Sequence, residues 1–134
     1  MKHLILIALL ALIGCAQEPP PVDSEGNPPN LKLKAAYQHL LAGDFATART
    51  YFDDRLIAAV LPPSHPDTFE SFYQKQVAEW TQHDLNTEIQ GNEHNSKVWR
   101  VRIGPNDGRP GAVHDLAQID GHWKIVYWGD YPKE

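Results

Sequence analysis

The chain has 134 residues, of which 42% are hydrophobic and 22% charged, and a formal net charge of −5. That length suits one small domain with a single core and leaves little room for a second. The acidic balance, with no run of basic residues, argues against a nucleic-acid backbone or anionic lipid headgroups as the main partner, since both reward clustered Lys and Arg.

The first element is apolar. Lys2 and His3 precede LILIALLALI, residues 4–13, an unbroken apolar or small run. Crossing a bilayer as a helix takes about 20 residues, so the run fits the hydrophobic region of an export signal rather than a span. The tetrapeptide Leu12-Ile13-Gly14-Cys15 then resembles the lipobox of bacterial lipoproteins. The resemblance implies a signal peptide over residues 1–14, cut between Gly14 and Cys15, with Cys15 carrying a diacylglyceryl group and an acylated, palmitate-type amino terminus. Each buried methylene contributes about 0.8 kcal/mol, so one acyl chain holds weakly while two or three hold almost permanently. Cys15 is the only cysteine, which leaves no intramolecular disulfide. A cell-envelope location follows from the resemblance. Ala16 after the cysteine, in place of aspartate, implies the outer membrane if the host has two membranes.

Residues 15–30 are then the lipidated cysteine and a tether. AQEPPPVDSEGNPPN, residues 16–30, is too rich in proline and polar residues to bury an apolar face, and is expected to be extended and partly disordered. The domain is expected over 31–134. In LKLKAAYQHLLAGD the residues Leu33, Ala36, Tyr37, Leu40 and Leu41 recur at helical spacing; Gly43 stops the helix and Asp44 caps the next. That second helix, FATARTYFDDRLIAAVL, aligns Phe45, Ala48, Phe52, Leu56, Ala59 and Val60 until Pro62 and Pro63. Asp67 and Glu70 have capping-box spacing before a third, with Phe69, Phe72, Tyr73, Val77 and Trp80 on one stripe.

Beyond His83 the period changes to that of strands. LNTEIQ, VWRVRI, AVHDLAQI and HWKIVYW alternate, GPNDGRPG at 104–111 is a loop, and Asp120-Gly121 is the favoured sequence of a two-residue hairpin turn. Helices followed by strands predict an α+β domain, three N-terminal helices on one face of an antiparallel sheet of about four strands. AAYQHLLAGDFATARTYFDDRL together with DGHWKIVYWGDY is similar to the nuclear transport factor 2-like superfamily, the cystatin-like α+β cone, and to its small bacterial lipoproteins. The resemblance implies a curved sheet wrapped round helices, a cone that binds a ligand, carries catalytic acids or is filled by side chains, and a homodimer paired through the sheet. AGDFATARTYF also has tetratricopeptide spacing, but no second copy follows at about 34 residues.

The turn sets a register in which Leu116 faces Ile125, Asp115 faces Val126 and His114 faces Tyr127. His114, Leu116, Gln118, Trp123, Ile125 and Tyr127 share one face, which is expected to point inward. Val113, Asp115, Ala117, Ile119, His122, Lys124, Val126 and Trp128 share the other. The candidate pocket is His114, Tyr127, Trp123, Trp99 and Asp115. A buried His114 beside a tyrosine hydroxyl can act as acid or base, or simply be a hydrogen-bonded core histidine. Asp115 can reach solvent or meet Arg100 or Arg102. The histidines show no metal-ligand spacing, so no metal and no cofactor is expected. Two readings result: a non-enzymatic, lipid-anchored module binding a small ligand or an envelope protein, favoured because no committed acid and base pair emerges, and a small-molecule enzyme of isomerase or hydrolase type using His114 or Asp115.

Overall fold

The computed structural model describes residues 19–92 and 97–127. Gly14 and Cys15, with the signal and anchor expectations they carry, lie outside the described residues, as do His94 and Trp128.

Helix α1, Pro29–Leu41, starts on a proline, whose fixed φ and missing N–H suit a first helical turn, two residues before the expected boundary at Leu31. Leu33, Ala36, Tyr37 and Leu40 form its buried face. Gly43 takes φ 77°, a conformation open to glycine, and ends the run. Asp44 then accepts a hydrogen bond from the Thr47 N–H at 3.3 Å and caps α2, Phe45–Arg49.

The expected long second helix is two. After α2 the chain leaves the helical path at Thr50 and resumes as α3, Asp54–Val60. The reason is tertiary. Phe52 makes a parallel bridge to Ile125, the Ile125 N–H donates to the Tyr51 carbonyl at 2.8 Å, and the Asp53 N–H donates to the Ile125 carbonyl at 2.8 Å. The backbone groups that a continuous helix would pair internally are therefore satisfied on the sheet. Ala48, Phe52 and Leu56 are buried as the stripe predicts, whereas Ala59 and Val60 are exposed.

Helix α4, Phe69–Gln76, is capped one residue later than the Asp67/Glu70 spacing suggests. Thr68 and Ser71 form the reciprocal box, while Asp67 accepts from the Ser71 hydroxyl and from Lys75. Val77 and Trp80 lie past its end, and a 3-10 turn, Gln82–Asp84, leads into the sheet.

Strands β1 (Asn86–Asn92), β2 (Trp99–Gly104), β3 (Ala112–Ile119) and β4 (His122–Val126) form one open antiparallel sheet in sequential order. The fold is thus α+β, with four α-helices among the described residues in place of the three expected. Asp120 and Gly121 have φ 52° and 81°, the two positive values that a tight turn of the right twist requires. The register is the expected one, with Leu116 opposite Ile125 and Asp115 opposite Val126. The ladder runs no further than that pair, so Tyr127 is not seated opposite His114. A bulge between Ile89 and Gly91 interrupts β1.

Leu116, Trp123 and Ile125 point inward with Trp99, Val101 and Ile103, and meet Leu33, Tyr37, Leu40, Phe52 and Tyr73 in one core. Each such side chain taken out of water contributes about 1.5–3 kcal/mol. Val98, Ala117 and Val126 form a second, small cluster on the opposite face.

Candidate functional site

The antiparallel order gives the sheet two distinct ends. One carries the β3–β4 turn, the end of β1 and the start of β2; the other carries the start of β3 and the end of β4. The residues expected to share one pocket divide between these ends.

At the start of β3, a cleft of about 390 Å³ is lined by Leu56, Arg100, Val113, His114, Asp115, Val126 and Tyr127. His114 is half-buried, and its Nε2 lies 2.6 Å from the hydroxyl of Tyr37, itself wholly buried at 0% exposure. The hydroxyl beside His114 is therefore Tyr37 of α1 and not Tyr127, which is 46% exposed. Burial pushes the His114 pKa down to about 4, because a charged imidazole would lose its water there, so the ring is neutral at pH 7. The Tyr37 hydroxyl also has Gln76 Oε1 at 3.4 Å, and its ring stacks on Trp80 at 5.6 Å. Burial raises the pKa of Tyr37 and takes that of Tyr73 to about 12. Phe52 packs its ring edge-on to His114 and tilted on Tyr73.

Asp115 belongs to the other face of β3. Its carboxylate accepts from Arg100 Nε at 3.0 Å across the β2–β3 ladder. Arg102, the other candidate partner, instead donates to the Pro105 carbonyl at 2.8 Å. His114 and Asp115 thus line one cleft from opposite sides of a strand, each with its own partner, and form no acid–base couple.

Trp99 and Trp123 sit at the opposite end, in a cleft of about 410 Å³ completed by Pro21, Asn92, Lys97 and Gln118. Trp123 donates its indole N–H to the Asn27 carbonyl at 2.9 Å.

Sequence reasoning missed what happens around that tryptophan. Part of the stretch read as a tether is docked. The Ser24 N–H donates to the Gly121 carbonyl at 2.8 Å, and Gln118 donates to the Val22 carbonyl at 3.2 Å. Asp23, only 6% exposed, accepts through Oδ1 from the N–H groups of Glu25 and Asn27. Burial acts to raise its pKa, but the N–H groups of Asn27 and Glu25 outweigh this and leave the carboxyl below its ordinary value. Glu25 reaches Lys32 at 2.6 Å and His122 Nδ1 at 3.0 Å, and these contacts hold its pKa low, that of Lys32 first. Asp23, Glu25 and His122 offer ligand atoms within 4.8 Å of one another, the grouping closest to a metal-ligand set among the described residues. The ammonium of Lys32, 2.6 Å from Glu25 and 3.8 Å from Asp23, already supplies their positive charge. The legible signal was Asp23-Ser-Glu-Gly26, a turn-forming sequence inside the proline-rich run.

Comparison of the chain with family models, curated proteins and solved structures gives no match.

Proposed function

We propose that the protein is a lipid-anchored cell-envelope protein, attached through Cys15 and facing the periplasm from the outer membrane in a host with two membranes. In this reading its α+β domain, of the nuclear transport factor 2-like kind, is a binding module and not an enzyme. Its partner is an envelope protein docking at the cleft of Val113, His114 and Tyr127. One observation carries the reading. The space between helices and sheet is filled by Leu33, Tyr37, Leu40, Phe52 and Leu116, while Val113 and Tyr127 stand 52% and 46% exposed outside it. Exposed apolar groups beside a charged pair, here Arg100 and Asp115, match the anatomy of a docking patch with a polar rim.

The test has two arms. Mass spectrometry of the mature amino terminus should find a lipidated Cys15, and a free thiol there would remove the anchor. A photo-crosslinking side chain at position 113 or 127 should capture a discrete protein in cells, and one at Gln38 on the exposed surface of α1 should not. Equal capture from all three positions would remove the docking patch, and capture of none would do so as well.

One observation favours the enzymatic alternative: His114, a neutral imidazole at pH 7, borders an open cleft. His114→Gln, which removes the imidazole but keeps a neutral side chain able to bond with the Tyr37 hydroxyl, separates the two readings. It leaves crosslinking at position 127 intact if the module only binds, and abolishes turnover if it catalyses.

A further inference from the structure

The length of chain between Cys15 and the first docked residue decides how the domain hangs from its anchor. If all of residues 16–30 were free, they could place the domain up to about 50 Å from the attachment point, in any orientation. The ties described above begin at Val22, whose carbonyl is held by Gln118, and continue through Ser24, Glu25 and Asn27. Only six residues, 16–21, then lie between Cys15 and Val22. Whatever their conformation, they reach at most about 25 Å.

Those ties all fall on one end of the molecule. Gly121 is in the β3–β4 turn, Gln118 and His122 flank it, Trp123 follows, and Pro21 lies in the cleft with Asn92 and Lys97 at the end of β1 and near the start of β2. The cleft of Val113, His114 and Tyr127 is at the other end of the same two strands. From Ile119 back to Val113 the strand covers about 20 Å.

We propose that residues 22–27 are a strap that orients the domain on a lipid surface, with the β3–β4 turn facing the bilayer and the His114–Tyr127 cleft facing away from it. The inference rests on the reading of Cys15 as the lipid attachment point, and it deepens that reading by assigning which surface is left for a partner. The strap is fastened by independent kinds of contact. Ser24 and Asn27 bond through the backbone, Asp23 is a buried carboxylate holding its own turn, and Glu25 joins Lys32 and His122. Backbone bonds carry no net charge, so they persist at salt concentrations that screen surface ion pairs.

The experiment supplies the anchor chemically, so that it does not depend on natural lipidation. The chain beginning at Cys15 is coupled through its single thiol to a maleimide phospholipid in phosphatidylethanolamine/phosphatidylglycerol vesicles. A fluorescent amino acid is placed at Asp120 or at Val113, and energy transfer to a headgroup dye is measured. Transfer from position 120 should exceed that from position 113 by about two-fold or more, given about 20 Å of strand between them. Equal transfer, or more from position 113, overturns the strap. Ser24→Pro combined with Glu25→Ala and Gln118→Ala removes the ties to Gly121, to His122 and Lys32, and to Val22 together, while proline suits the second position of the Asp23–Gly26 turn, so it should bring the two signals together with the domain still folded by circular dichroism. A difference that persists in this variant overturns the role of residues 22–27. A free thiol on the natural Cys15 would instead defeat the anchoring reading alone, because the coupled protein reports orientation either way.

Discussion

At the scale of single residues, the Tyr37–His114 contact is the short polar pairing inside the aromatic layer between α1, α4 and β3. Each group is costly to bury alone, and at 2.6 Å each offsets the other's lost water. Tyr37→Phe keeps the ring and its stack on Trp80 but strands the imidazole, so it should lower stability by about 1–3 kcal/mol in urea titrations at pH 7. The same pair sets a pH dependence. The folded pKa of His114, about 4, lies below its ordinary value of 6.5, so between these values the unfolded chain binds the extra proton. Stability from this group is complete above pH 6.5 and lost progressively as pH falls towards 4. His114→Gln should flatten that window in thermal melts taken across it, while leaving the steeper carboxylate-driven loss at lower pH. The sequence revealed that His114 belongs to the inward face, because β3 alternates. It did not reveal the partner, because Tyr37 is 77 residues away and reads there as one more apolar position of a helix stripe.

Among the elements, the split between α2 and α3 is the clearest case of packing overriding periodicity. Phe45, Ala48, Phe52 and Leu56 have the spacing of one continuous helix, and nothing in FATARTYFDDRLIAAVL breaks it locally. The break comes from Ile125, more than seventy residues on, which takes the backbone of Tyr51 and Asp53 as its partner. Phe52→Ala should therefore cost more than an ordinary helix-face truncation, about 3–5 kcal/mol, since Phe52 fills the core against Phe69 and Tyr73 while its backbone bridges the sheet. Chemical denaturation read by near-UV circular dichroism would test it. The hairpin, by contrast, was legible from two residues: Asp120-Gly121 fixed the turn, and the turn fixed every observed β3–β4 pair.

For the whole molecule, the Pro-rich stretch carries the least legible feature. Its composition shows no amphipathic period, yet it docks through backbone groups and one buried carboxylate, and its Pro29 is fully buried at the start of α1, none of which composition records. Removing residues 16–27 should leave the Trp123 indole N–H without its acceptor and lower stability by about 1–3 kcal/mol, measured as a drop in the urea midpoint against the chain that begins at Cys15. The Tyr51–Asp53 segment has a consequence for neighbouring copies as well. Molecules crowded onto one surface meet often, and a strand with unpaired backbone along its free margin would template the growth of a continuous sheet from chain to chain. Tyr51 and Asp53 occupy the outer margin of β4 at Ile125, and the opposite margin, β1, is polar in sequence and kinked at its bulge. Neither margin offers a long, flat, apolar template, so copies can stand side by side without fusing into fibres.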